Sequence, residues 1–196
     1  LTGGNATGGA PASLGGAIYA DGSGSGNSVR LTLMACTLSG NSAASFGGGI
    51  GCESRFSGSA TLSLIACTLA GNLASEGGGI FSNGFQGNAT TLSLNACTLT
   101  GNSASTNGGG IFSEGQQGSA TLNLHNTILA GNTAPTGPDL QGVATITTGT
   151  GSNLMSSIAG SFPEVNPANV TIIADPKLTP LGHFGGPVQT MHPLIG

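Results

Sequence analysis

Leu31-Thr-Leu-Met-Ala-Cys-Thr-Leu-Ser-Gly-Asn41 returns as Leu62-Ser-Leu-Ile-Ala-Cys-Thr-Leu-Ala-Gly-Asn72, then as Leu92-Ser-Leu-Asn-Ala-Cys-Thr-Leu-Thr-Gly-Asn102. It returns once more, worn, as Leu122-Asn-Leu-His-Asn-Thr-Ile-Leu-Ala-Gly-Asn132. The steps between the asparagines are 31, 30 and 30 residues. A second element keeps time with the first: Gly15-Gly-Ala-Ile18, Gly47-Gly-Gly-Ile50, Gly77-Gly-Gly-Ile80 and Gly108-Gly-Gly-Ile111, with steps of 32, 30 and 31. Two independent motifs on one period define a repeat array. Leu-x-Leu alternation, abundant Thr and Ser, and a glycine cluster in every repeat specify strands. No stretch carries apolar residues at helical spacing over three turns. A repeat of about 30 residues with three short strands and three turns is the arithmetic of a parallel β-helix, its coils stacked about 4.8 Å apart. Parallel crossovers are overwhelmingly right-handed, so that hand is expected.

The inner columns follow from the alternation. Leu31, Leu62, Leu92 and Leu122 form one, and Leu33, Leu64, Leu94 and Leu124 another. Leu38, Leu69, Leu99 and Leu129 form a third, and Ile18, Ile50, Ile80 and Ile111 a fourth. Asn41, Asn72, Asn102 and Asn132 each follow a glycine at a turn, where stacked amides bond one another and the turn backbone. A narrow aliphatic core of this kind needs few aromatics, and the composition agrees. Of 196 residues 37 are Gly, aromatics are 4% and charged residues 5%. Three bases against seven acids leave a net charge of −4, which excludes the basic footprint of a nucleic-acid binder. No apolar run reaches the roughly 20 residues of a membrane-spanning helix, and no membrane insertion is expected.

The repeat Leu-x-Gly-Asn, followed within ten residues by Gly-Gly-[Ala/Gly]-Ile, resembles that of polymorphic outer-membrane-protein and autotransporter-type β-helices. Those often carry Phe where this chain has Leu. The tail resembles a choice-of-anchor Q domain at Asn126-Thr-Ile-Leu-Ala-Gly-Asn-Thr-Ala134, Gly137-Pro-Asp-Leu140, Asn153-Leu154, Asp175-Pro-Lys-Leu-Thr-Pro-Leu181 and Gly185-Gly-Pro-Val-Gln-Thr-Met-His-Pro-Leu194. Such domains belong to large secreted bacterial surface proteins, so the resemblance implies an extracellular or cell-surface location. Members continue beyond Pro-Leu-x-Gly, and both ends of this chain read as cut from something longer or as processed. Residues 1–132 are read as repetitive coils. Residues 133–196, where the repeat dissolves and six of nine prolines fall beyond residue 160, are read as irregular last coils and a capping tail of the same domain.

Three constellations hold register. Cys36, Cys67 and Cys97 form a column that Thr127 continues, with Cys52 apart in the Gly–Ile strand. Stacked Cα atoms lie inside the disulfide window, but parallel Cβ vectors about 4.8 Å apart exceed the ~3.8 Å of a relaxed bridge. Buried thiols and one bridge within the column both stay open. His125 lies near the column's end, yet no Cys-x-x-Cys spacing marks zinc. Asp21, Glu53 and Glu114 stand three residues after a motif isoleucine, with Asn83 in the remaining repeat. Neighbouring carboxyls roughly 5 Å apart have the spacing of a retaining glycosidase pair or of a shared calcium site, and equally of ordinary turn residues. Finally Tyr19, Phe81 and Phe112 follow the motif isoleucines, with Gly51 interrupting, and alternation turns them outward as an aromatic stripe.

The remaining features decide less. Thr61/Ser63, Thr91/Ser93 and Thr121/Asn123 give a flat hydroxyl face of the kind seen in ice-binding solenoids and in β-helices at large. His183 and His192 read as tail packing, and the Gly-Gly-Gly runs precede strands, so they fail the phosphate-loop test. Asn5, Asn88 and Asn169 match the glycosylation acceptor pattern. The expected function is that of a secreted or cell-surface structural or adhesive β-helix. Its partners are copies of itself, end to end or lateral, and surface glycans, and no cofactor is expected. The alternative is a polysaccharide lyase or glycoside hydrolase using Asp21, Glu53 and Glu114. Polysaccharide lyases on β-helices set bases beside a calcium cluster, and only Arg30, Arg55 and Lys177 are available here. With bases scarce and the acids read as turn residues, no catalysis is expected, and because Asn83 interrupts the column and no Asp-rich loop supplies six ligands, no calcium-dependent shift in stability is expected.

Overall fold

The computed structural model describes residues 1–7, 13–115, 117–148, 151–161, 170–173, 175, 177–183 and 189. Asn169 and His192 lie outside the described residues. Every paired strand is parallel, and four sheets run along one axis as a β-solenoid of about four turns. The Gly–Ile sheet holds Ile18–Asp21 (β2), Ile50–Ser54 (β6), Ile80–Gly84 (β10), Ile111–Glu114 (β14), Leu140–Val143 (β17) and Ile158–Ser161 (β20). The leucine sheet holds Ser28–Met34 (β3), Ser59–Ile65 (β7), Ala89–Asn95 (β11), Ser119–His125 (β15) and Thr145–Thr148 (β18). A third sheet of short strands is made of Thr37–Ser39 (β4), Thr68–Ala70 (β8), Thr98–Thr100 (β12), Ile128–Leu129 (β16), Asn153–Met155 (β19) and Val170–Ile172 (β21). Asn5–Ala6 (β1), Ser42–Ala43 (β5), Leu73–Glu76 (β9) and Ser103–Asn107 (β13) make the fourth. Among the described residues no helix is long and apolar enough to cross a membrane.

The register stacks like on like. Leu31 pairs Leu62, Leu62 pairs Leu92 and Leu92 pairs Leu122. Ile18, Ile50, Ile80 and Ile111 do the same. Leu62, Leu64, Leu69, Ile50, Ile80 and their neighbours in the next coils are wholly buried in one continuous core. Burying such a side chain contributes about 1.5–3 kcal/mol. The stacking does not stop where the sequence repeat dissolves. Leu140 takes the slot after Ile111, Ile146 the slot after Leu122, and Met155 the slot after Leu129. Leu140 in turn pairs Ile158, so these last coils keep the columns while shedding loop residues.

Two backbone features explain the repeated small residues. A Cβ on Gly78 would meet Ser103 O at 2.4 Å and Gly109 O at 2.5 Å, so adjacent coils close up at the glycine runs because nothing projects there. The corner from the leucine sheet to the third sheet turns on one left-handed residue: Ala35 (φ 49°), Ala66 (53°), Ala96 (53°) and Asn126 (50°). This conformation costs an ordinary L-residue about 1–2 kcal/mol, and Asn adopts it more readily. The fourth coil already uses Asn. Placing Asn at the exposed Ala35, Ala66 and Ala96 together should raise the urea midpoint of unfolding, by about 0.5 kcal/mol or more per site. An unchanged or lower midpoint would count against this reading of the corner.

Candidate functional site

The acids of the Gly–Ile sheet end up side by side, in the order Asp21, Glu53, Asn83, Glu114, with Val143 next. Their environments differ. Asp21 is exposed, and its Oδ1 accepts the Ser23 N–H at 2.8 Å. Glu114 is half-buried. Glu53 is buried to 2% exposure, which a carboxylate tolerates only when paired. Tyr19 donates its hydroxyl to Glu53 Oε2 at 2.9 Å, and Arg55 donates to Oε1 at 3.0 Å. The Arg55 guanidinium also lies 5.8 Å from the Phe85 ring centre, within cation–π range. Tyr19, Asp21, Glu53 and Arg55 line a groove of about 310 Å³ together with Leu14, Phe46 and the exposed Phe56. Tyr19 reaches Glu53 because the intervening slot is Gly51, where a Cβ would sit 3.1 Å from Tyr19 Cδ2.

The two carboxyls of the expected pair stand in adjacent coils and line one groove, but in different surroundings. Each oxygen of Glu53 accepts one hydrogen bond, so the carboxylate holds the phenol and the guanidinium in place. Asp21 is the carboxylate that faces solvent. The aromatic stripe expected on the outside is corrected by the structure. Phe81 and Phe112 do point away from the core, but they are buried at 2% and 7% exposure. Phe46 stacks on Phe81 at 4.5 Å and Phe81 on Phe112 at 5.6 Å, so the stripe is a second small core, built where Gly51 leaves space. Of the acceptor asparagines, Asn5 is exposed and Asn88 is buried at 3% exposure, which withdraws Asn88 from a modifying enzyme.

The asparagine column is fully saturated. Asn72 Oδ1 accepts from Asn41 N and Asn41 Nδ2, and Asn72 Nδ2 donates to Leu38 O and Asn102 Oδ1. Asn102 repeats the pattern with Leu69 and Asn132. All the amides point the same way, so the last one needs an acceptor from outside the column. Asp139 is that residue. Wholly buried, it accepts Asn132 Nδ2 at 2.8 Å and Asn132 N at 3.3 Å on Oδ1. Its Oδ2 accepts the N–H groups of Ser156 and Ser157, both at 2.8 Å, and the Ser156 hydroxyl. Asp139 has no counterpart in the earlier repeats that would mark it in the sequence, although it stands only seven residues beyond the last ladder asparagine, inside Gly137-Pro-Asp-Leu140.

All four cysteines are free thiols. Cys36, Cys67 and Cys97 donate to the carbonyl two residues earlier, at 3.2, 3.3 and 3.3 Å. Thr127 Oγ1 does the same to His125 O at 3.0 Å, and Asn153, paired in the next strand, accepts the Thr127 N–H. The column is thus a file of small donors. Contact between Cys67 and Cys97 makes Cys67 the more acidic thiol and pushes Cys97 up. Cys52 stands elsewhere, and burial with the neighbouring Glu53 charge pushes its thiol up to about 12. Among the described residues no three His, Cys, Asp or Glu side chains converge as they would around zinc or calcium.

Residues 96–114 match the Chlamydia polymorphic membrane protein repeat. The matched stretch runs from the left-handed corner through Asn102 and the glycine run to the end of β14, nearly two-thirds of one coil. No curated protein and no solved structure matches the chain. The coarse class these findings suggest is a repeat protein associated with a surface or an outer membrane, and the solenoid fits a repeat of that kind.

Two outcomes follow. Asp139→Asn puts an NH₂ where backbone donors already point, and should cost about 2–4 kcal/mol in thermal or urea unfolding; a variant as stable as the parent would remove Asp139 from its place at the ladder's end. The second outcome concerns Tyr19. Burial, then the charge and hydrogen bond of Glu53, push its phenol well above the ordinary value of 10.0. Its stabilising effect is complete below about pH 10 and is lost as pH rises through the folded value. With one tyrosine and no tryptophan in the chain, ultraviolet titration reads this group alone. The tyrosinate band should stay absent near about pH 11 until the chain unfolds, and Glu53→Gln should bring it closer to the ordinary value.

Proposed function

We propose that the chain is part of a secreted or cell-surface β-solenoid with a structural and adhesive role, one that extends by end-to-end stacking of coils. The observation that carries this is the state of its first coil. β3 is an edge of the leucine sheet, with no strand paired to its outer side among the described residues. Its inward Val29, Leu31 and Leu33 are only partly buried, whereas Leu62 and Leu64 one coil later are wholly buried. An unpaired edge over a half-covered core asks for another strand. Arg30 is the single charge on β3, and a chain with 5% charged residues repels its copies weakly. A further coil of the same kind, from more chain or from a second copy, satisfies the edge. A contact between copies of this kind is heterologous and propagates as a filament. The matched repeat supports a place at the cell surface.

For the adhesive part, the groove at Tyr19, Asp21, Arg55 and Phe56 supports contact with a surface glycan, since it sets an exposed aromatic beside polar groups. The same groove is what favours the second reading, a polysaccharide-active enzyme. Turnover of a plant or microbial polysaccharide that Glu53→Gln abolishes would establish that reading instead.

Assembly is tested by light scattering and electron microscopy of the purified chain across a wide concentration range. The Ala35 N–H is directed at Ile65 O in β7, so by alternation the N–H of Thr32 faces the open edge. Thr32→Pro therefore blocks the edge without removing a bond to β7. Filaments or concentration-dependent oligomers are expected for the parent chain, and a strong reduction for Thr32→Pro. Monodisperse monomers of the parent at every concentration would refute self-assembly.

A further inference from the structure

The thiol file has a spacing that suits one chemistry and rejects another. Cys67 donates to Ile65 O at 3.3 Å and to Leu33 O of the preceding coil at 3.5 Å. Cys97 repeats both contacts, to Asn95 O at 3.3 Å and Leu64 O at 3.4 Å. Cys36 makes the first of them, to Met34 O at 3.2 Å. Side chains that repeat their contacts from coil to coil share one rotamer, so their sulfurs are translated by the strand spacing, about 4.8 Å. A disulfide needs its sulfurs near ~2.05 Å, and its Cβ atoms near ~3.8 Å, which would require the coils to shift. Two metal–thiolate bonds of the ~2.3 Å length found at zinc, laid end to end, span about 4.6 Å. The step of the file is therefore the span of a linear sulfur–metal–sulfur unit. Soft thiolate ligands select soft cations, and those of the copper(I) class accept two ligands in a line.

We propose that Cys36 and Cys67 form a two-coordinate site for a soft monovalent cation of the copper(I) or silver(I) class. Cys36 is half-buried and gives the ion a way in from solvent, which the sealed Cys97 lacks. Binding breaks the two S–H bonds, forms two metal–sulfur bonds and releases two protons to water, with no change of oxidation state. The ion would tie the first coil to the second through covalent-strength bonds. It would act at the end of the solenoid whose core is least covered. This site is independent of the groove and of end-to-end assembly.

The test uses the reduced chain, titrated with silver(I) in chloride-free buffer and read by native mass spectrometry and by thermal unfolding. Thr127 already fills this slot with its hydroxyl on His125 O at 3.0 Å and Leu94 O at 3.4 Å, so Thr is the substitution that keeps the fold. Ala20 pairs Cys52, so Cys52→Ala follows the chain's own precedent. The expected result is one silver ion per chain and a raised melting temperature. Binding should weaken at least tenfold in Cys36→Thr and in Cys67→Thr, and persist in Cys97→Thr and Cys52→Ala. Melting curves without metal establish that each variant is folded. Three results would overturn the site: no stoichiometric binding by the parent chain, equal loss in Cys97→Thr or Cys52→Ala, or equally tight binding of zinc(II), which wants four ligands.

Discussion

In-register parallel stacking places each residue about one strand spacing from its counterpart in the next coil, and almost every other feature is a consequence of that constraint. Whatever occupies a slot must tolerate a copy of itself close by. Aliphatic side chains do so by dispersion and by excluding water, which is why four columns of Leu and Ile suffice for a core with hardly any aromatics. Amides do so because each is both donor and acceptor, so the asparagine column saturates itself. Carboxylates cannot, since each can only accept. The Gly–Ile sheet accordingly places only two of them in adjacent coils, exposes Asp21, and pairs Glu53 with a phenol and a guanidinium.

The same logic locates Asp139. A one-way chain of amide donors must end on an acceptor, and where further donors converge on the same group a buried carboxylate, which only accepts, meets them all. Its second oxygen then gathers two N–H groups and a hydroxyl from the coil beyond, so one side chain closes the regular array and anchors the shortened coils. Further round, Thr37 donates its hydroxyl to Gln189 O at 2.6 Å, which brings one described residue of the tail back against the first coil. The structure is continuous across the point where the repeat ceases to be visible.

The proposed function rests on what the stacking leaves unsatisfied. Among the described residues, the open sheet edge at the first coil, the half-covered leucine column and the shallow groove with its exposed Phe56 are where the proposed contacts would form. The extended surface element proposed above would use all three. The matched repeat suggests a repeat protein associated with a surface or an outer membrane.

The period, the strand class, the inner columns and the asparagine and cysteine files were legible in the amino-acid sequence, because a parallel solenoid writes each three-dimensional neighbour about thirty residues away. Leu140, Ile146 and Met155 were not legible as members of the columns, because the last coils drop loop residues and only backbone pairing reveals the match. The partnership of Glu53 with Tyr19 depended on Gly51 leaving room, and the burial of Phe81 and Phe112 on Phe46 arriving from a loop. Local alternation shows which way a side chain leaves its strand. What covers it once it has left is decided by loops whose paths are set by packing, and that part of the protein existed only in the tertiary structure.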